Sequence, residues 1–251
     1  MGSVRIGLIG AGVMAGIHAR CLSRHVEGGE LVALADLDRE KAGRCAEEFG
    51  ATSLYRDHHS LLSDRSIDAV LICIPGNTHA EVIEAAARAG KHIFCEKPID
   101  WGLVAADRAL HAVERAEVNL QIGFNRRFDR AFLDARETVK RGDIGRSHIV
   151  HLVSRDPARP YGGPKARGDL YFDSTIHDLD MVRFLIGEEV ESVVSYGMSS
   201  GAREAGIGED PDTAITLLWL ASARSLQSIT AGGRLSMTSG PRSLGRAVPF
   251  V

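Results

Sequence analysis

Nothing in this sequence approaches a membrane span. No apolar run nears the roughly 20 residues that a bilayer core requires. After Met1 the chain enters a short apolar run at once and meets Gly7 and Gly10. That pattern predicts no secretory leader. Charge of one sign is also lacking: a net charge of −3 gives no electrostatic case for nucleic acid or an anionic membrane. Cysteine is scarce. The four are Cys21, Cys45, Cys73 and Cys95, none in a CxxC pair and two inside apolar stretches. They predict buried, reduced thiols in a cytoplasmic protein. The ten histidines are scattered, form no metal-type cluster, and predict no metal. There is no internal repeat and no long low-complexity linker.

What remains is an ordered rhythm. Short apolar runs at Val4–Ile9, Leu31–Ala35, Ala69–Ile74, Lys91–Cys95 and Val118–Ile122 read as strands. Helical patterns at Val13–His25, Asp38–Phe49, Thr78–Ala89 and Leu103–Ala116 separate them. Alternation of this kind predicts a parallel sheet with helices on both faces, an α/β Rossmann domain over residues 1–123. Near Gly123 the rhythm changes. Arg130–Arg141 and Ser174–Ile186 read as helices. Ser147–Ser154, Val190–Tyr196, Thr213–Leu220 and Leu226–Ile229 read as strands, the last three spaced for antiparallel pairing. A glycine- and proline-rich loop covers 157–168. Residues 124–251 are thus expected to form an α+β domain with a mostly antiparallel sheet.

Three places carry chemistry in the first part. Gly10-Ala11-Gly12-Val13-Met14-Ala15 fits GxGxx(G/A) between a strand and a helix. Gly10 permits the turn, Gly12 admits a pyrophosphate, and Ala15 allows close helix packing. The amides at the helix start then face the phosphates. Asp36 ends the second strand, where a carboxylate accepts both ribose hydroxyls of an adenosine and repels a 2′-phosphate. This favours NAD over NADP, with a plain helix cap as the other reading of Asp36. The third place is a pair of proline-stopped strand ends, Ile74-Pro75-Gly76-Asn77-Thr78-His79 and Glu96-Lys97-Pro98. Lys97 beside a cofactor can stabilise charge developing on a substrate hydroxyl. A solvated surface lysine fits the spacing equally well.

The glycine loop, the Pro75–His79 turn, Glu96-Lys97-Pro98 and Gly123-Phe124-Asn125-Arg126-Arg127-Phe128 stand in an order that resembles the Gfo/Idh/MocA oxidoreductases. Within that family the inositol 2-dehydrogenases are the most similar. The resemblance covers about residues 4–230. It implies a cis Lys97–Pro98 peptide, with Lys97 touching both substrate and nicotinamide ribose. It also implies cofactor contacts from Gly10 to Met14, Asp36, Pro75, Asn77, His79 and Glu96. Asp173-Ser174-Thr175-Ile176-His177 resembles the family's D-x-x-x-H motif. Four residues apart on a helix, Asp173 and His177 share a face, beside an apolar stripe of Ile176, Leu179, Val182 and Ile186. The resemblance makes His177 the proton acceptor, with Asp173 and Lys97 in its hydrogen-bond network. The residues alone also allow a capping Asp173 and a boundary histidine. Arg126 and Arg127 are candidates for substrate oxygens or form a solvated pair. Inositol dehydrogenases often carry a histidine just before the arginine matching Arg155, where this chain has Ser154.

The expected function is NAD-dependent oxidation of a polyol ring hydroxyl, myo-inositol to 2-keto-inositol first, by a homo-oligomer. Another sugar or sugar acid is the alternative substrate. A catalytically inactive NAD-binding fragment is the alternative class. The tail motivates the last: from Ala231 the sequence loses strand alternation, and family members continue past this length. Reading plausible GC-rich codons two bases later gives a string that resembles inositol dehydrogenases. Loss of the native frame near Thr230, and an incomplete second domain, are therefore expected.

Overall fold

The computed structural model describes residues 2–155, 169–198, 211, 213–221 and 226–232, the last stretch and residue 169 as backbone. The loop 157–168 and the tail from 233 lie outside the described residues. The chain divides into two compact units, Met1–Asp129 and Arg130–Val251.

The first unit carries six parallel strands in the order β3-β2-β1-β4-β5-β6. They are β1 (Val4–Ile9), β2 (Gly29–Ala35), β3 (Ser53–Tyr55), β4 (Ala69–Ile72), β5 (His92–Cys95) and β6 (Leu120–Ile122). Helices α1 (Val13–His25), α2 (Arg39–Phe49), α3 (His58–Leu62), α4 (His79–Arg88) and α5 (Leu103–Ala116) connect them. β4 is apolar throughout, and β1 and β2 are apolar and buried over their C-terminal halves, where helices cover both faces. Leu8, Leu34 and Ile72 have no exposed surface, and each such side chain contributes about 1.5–3 kcal/mol relative to exposure. The chain runs outward from β1 to β3, then returns to β4 on the other side of β1. That reversal leaves a switch point between β1 and β4, where open α/β sheets bind ligands.

Two elements were not predicted. β3 and α3 span three and five residues, too short for a periodic signal. Asp57 caps α3 by accepting from the Ser60 amide at 2.8 Å. That hydrogen bond, with Arg56 alongside, holds its carboxyl down to about 2. Cys45, Cys73 and Cys95 are free thiols that burial pushes up, and Cys21 is exposed. Among the described residues no helix is long and apolar enough to cross a membrane.

The second unit holds α6 (Arg130–Arg141), β7 (His151–Arg155), a wide helical segment Asp169–Thr175, α7 (Ile176–Ile186), β8 (Val190–Met198), β9 (Thr213–Leu220) and β10 (Leu226–Gly232). Its sheet has the order β7-β10-β9-β8. The pairs β8–β9 and β9–β10 are antiparallel as expected, whereas β7 pairs parallel with β10. Three corrections follow. The strand expected from Ser147 begins at His151, and the helix expected from Ser174 begins at Ile176 behind the wide segment. The strand expected to stop at Ile229 continues through Ala231 and Gly232, paired to Ser154 and Arg155. On β9, Ala214, Thr216, Leu218 and Leu220 point inward. Val182, Leu218 and Leu220 form this core, with Leu179 and Ile186 of the predicted α7 stripe packed against it. Arg136 places its guanidinium 4.5 Å from the Phe184 ring centre, joining α6 to α7.

Candidate active site

At the end of β1 the chain turns over the neighbouring strand. Gly10 has φ +102°, and a Cβ there would stand 2.3 Å from the Cys73 carbonyl oxygen. The turn is therefore possible only with glycine. Gly12 starts α1 with no side-chain cap and no acidic residue in the first turn. Its Cβ position meets nothing within 4 Å. The first amides of α1 have no intrahelical partner and carry the positive end of the helix dipole. Ala15 and Ala19 are buried against the sheet, so the small residues bring α1 close, as predicted. Val13 and Met14 are exposed at the helix start.

Asp36 does not cap α2; Asp38 does, accepting from the Lys41 amide at 3.1 Å. Instead Asp36 bridges the glycine loop. Its Oδ2 accepts from the Ala11 amide and its Oδ1 from the Asp38 amide, both at 2.7 Å. A carboxylate held at both oxygens is pre-oriented and keeps a lone pair on each for a hydroxyl. Gly10, Gly12, Asp36, Lys41 and Pro75 are among the residues lining a cleft of about 570 Å³. This is within the size range of small-molecule sites. Lys41, which lines the cleft, pairs with Asp38 at 3.1 Å. An uncapped helix start, an open cradle at Gly12 and an oriented carboxylate together fit a dinucleotide.

The two proline-stopped strand ends lie beyond β4 and β5. Pro75 and Asn77 are exposed, Asn77 on the turn Gly76–Thr78. His79 is not available to a cofactor: it is fully buried, with Nδ1 2.6 Å from the Pro98 carbonyl and Nε2 2.9 Å from the Ile74 carbonyl. Both carbonyls only accept, so a neutral ring donates to one of them, and the Pro98 contact is the shorter. The Lys97–Pro98 peptide is cis. Lys97 is half-buried, and Glu96 is buried with Oε1 2.7 Å from His18 Nε2 on α1. Sequence reading missed His18. Its one available signal was a polar residue on the inward side of α1, a helix turn past Ala15.

Arg126 and Arg127 sit half-buried on the turn Asn125–Phe128, Arg127 with its guanidinium 5.8 Å from the Phe124 ring centre. In the second unit Asp173 lies on the wide segment before α7 and His177 on the first turn of α7, both half-buried. The reading of Asp173 as a simple cap fails, since the residue preceding α7 is Thr175. Asp178 and Asp180 are buried on the same helix, which periodicity did not foresee. Ser154 Oγ donates to Asp178 Oδ1 at 2.6 Å. The histidines are also less scattered than expected. His58, His59 and Glu81 bring ligand-type atoms within 4.8 Å of one another.

A parallel sheet with an open glycine turn and an oriented carboxylate at its switch point defines a dinucleotide-binding fold. The family model described as "Oxidoreductase family, NAD-binding Rossmann fold" matches residues 4–124, and the Gfo/Idh/MocA C-terminal domain model matches residues 132–235. The chain belongs to the Gfo/Idh/MocA oxidoreductase family. It is 41% identical over 216 residues to the myo-inositol 2-dehydrogenase of Thermotoga maritima, a match covering 86% of this chain and 64% of that protein. It is 40% identical over 233 residues to an inositol 2-dehydrogenase of Rhizobium meliloti, covering 92% and 69%. Among solved structures it resembles scyllo-inositol dehydrogenase of Lactobacillus casei with bound NAD(H) and scyllo-inositol. The TM-score is 0.81 at 27% identity, covering 92% of this chain and 70% of that one. The chain thus spans about two thirds of the length of these relatives.

Proposed function

We propose that this protein oxidises a ring hydroxyl of a cyclic polyol to a ketone with NAD, and that myo-inositol is its first substrate. The observation that carries the reading is the bridged Asp36 beside an uncapped α1, in a chain about 40% identical to two inositol 2-dehydrogenases. In this reading the amides of α1 receive the pyrophosphate and Asp36 the adenosine ribose hydroxyls. A bound nicotinamide supplies the hydride acceptor. His177 takes the hydroxyl proton, and Asp173 orients its ring and stabilises the imidazolium. The Lys97 ammonium stabilises negative charge as it develops on the oxygen. Arg126 and Arg127 are further candidates for substrate oxygens.

NADH formation, followed by absorbance across a panel of polyols and sugars, tests this. Turnover with myo-inositol supports the reading, and NAD binding without turnover on any member rejects it. Scyllo-inositol is the second substrate reading. The similarity to the Lactobacillus casei structure with bound NAD(H) and scyllo-inositol supports it. Turnover with scyllo-inositol alone decides for it.

Asp36→Ala is expected to weaken NAD binding about 10- to 100-fold, since two charge-assisted hydrogen bonds to ribose are lost. Affinity for NADP should fall far less, so the ratio of the two dissociation constants, read by nicotinamide fluorescence, collapses. An unchanged ratio would remove Asp36 from the ribose site.

The sheet of the second unit supports a homo-oligomer. Tyr196 pairs with Ile215, and Val194, Tyr196, Met198, Ile215 and Trp219 share one exposed face. Such a patch is costly in water, and a second copy of this chain would cover it. Sedimentation should show a dimer or larger, shifted toward monomer by Tyr196→Glu; a monomer at micromolar concentration rejects the proposal. The free thiols support a reducing compartment, the cytoplasm.

A further inference from the structure

The lysine assigned to the substrate hydroxyl is flanked on both sides by residues that histidines hold. Before it, Glu96 is buried with its carboxylate 2.7 Å from Nε2 of His18 on α1. Gly123 backs the same carboxylate: a Cβ there would stand only 3.2 Å from it. After it, the carbonyl of buried Pro98 lies 2.6 Å from Nδ1 of His79, the first residue of α4. The other nitrogen of His79 reaches the Ile74 carbonyl beyond β4 at 2.9 Å. Gly76 completes the contact, its Cβ position being 2.9 Å from Pro98 Cδ. The two histidines come from 78 and 19 residues away. They sit on helices that follow β1 and β4, and Lys97 follows β5. The strand end bearing the lysine is therefore fixed to the two strands that frame the cofactor cleft.

We propose that His18 and His79 are positioning residues for Lys97. By anchoring Glu96 and Pro98 they fix the backbone on each side of it, and so the origin of its amine. The inference rests on the reading of Lys97 as the group that meets the substrate oxygen. A displacement of about 1 Å at such a group costs on the order of 100-fold in rate. Neither histidine touches substrate.

Isosteres separate positioning from plain filling of space. A carbonyl oxygen only accepts, so His79 must donate through Nδ1 to hold Pro98. Asparagine places an N–H near the position of Nδ1, and glutamine places one near Nε2. His79→Asn thus keeps the Pro98 contact, and His79→Gln keeps only the Ile74 contact. At His18 the order reverses, because Nε2 makes the bond: His18→Gln keeps Glu96 and His18→Asn loses it. With myo-inositol and NAD, kcat should fall about 10- to 100-fold in His79→Gln and His18→Asn and stay within about 3-fold in His79→Asn and His18→Gln. The KM for NAD should change equally within each pair. Equal kcat within both pairs overturns the proposal. If one variant fails to fold, the other histidine decides alone.

A second arm needs no turnover. Trace acylation with acetic anhydride, read by peptide mass spectrometry, reports the reactivity of the Lys97 amine, with exposed Lys140 as internal reference. The relative rate should change at least about 3-fold in His79→Gln and His18→Asn and hold in their partners, since reactivity follows the environment of the amine. An unmodified chain that turns over no polyol rejects the dehydrogenase reading and leaves this arm to decide. Lys97 labelling that is the same in every variant overturns the positioning role.

Discussion

His177→Ala is expected to lower kcat for polyol oxidation about 10²- to 10⁴-fold, the range that a positioned acid–base group supplies. The protein should stay folded. His177 is half-buried on the first turn of α7, and alanine there raises helix propensity. The core that holds α7 is built from Val182, Leu218 and Leu220, and His177 is not among its members. NAD affinity should be unchanged, because the cleft lined by the glycine loop and Asp36 belongs entirely to the first unit. The pattern that checks the assignment is a large loss in kcat with an unaltered dissociation constant for NADH. Retention of more than about a third of kcat removes His177 from proton transfer. Asp173→Asn should lower kcat in the same direction by a smaller factor, since it acts through the ring of His177 rather than on the substrate.

Gly10→Ala is expected to abolish NAD binding and to destabilise the first unit severely. Two costs add. The backbone at φ +102° is closed to an L side chain at a cost of about 1–3 kcal/mol. The new methyl would also lie 2.3 Å from the carbonyl oxygen of Cys73, a residue held just beyond β4 by its amide's 2.8 Å bond to the Ile9 carbonyl. Something in the sheet must move, and changes of this kind fall in the rare class above about 4 kcal/mol. Thermal unfolding with and without NAD measures both effects. Gly12→Ala is the control: its Cβ position is open, so the fold should hold while the added methyl intrudes where a pyrophosphate lies. A Gly10→Ala protein with the parent's melting temperature would falsify the geometric account of the turn.

The first unit was readable to a degree that follows from its physics. Its strands are buried on both faces and its helices on one, so each leaves a run or a stripe of apolar residues. The glycine loop was legible because its requirement is local: a turn, a helix start and a small residue within six positions. Asp36 was placed correctly at the end of β2, yet spacing could not tell a ribose acceptor from a helix cap. Its bonds to the Ala11 and Asp38 amides excluded the cap, which Asp38 provides. The short elements β3 and α3 escaped because three or five residues hold no period. In the second unit, Ser154 and Asp178 gave no hint of each other. One lies on a strand and the other on a helix, and only packing joins them.

By itself, then, the sequence determined the alternation of strands and helices, the phosphate turn, the carboxylate after β2 and the lysine after β5. Each of these is a property of a few adjacent residues and their backbone. The tertiary structure alone decided that His79 is buried between the Pro98 and Ile74 carbonyls and that His18 reaches Glu96. It also decided that β7 runs parallel to β10. These depend on which chain segments become neighbours, and burial of apolar area, which drives that choice, is non-directional and carries no local signature in sequence.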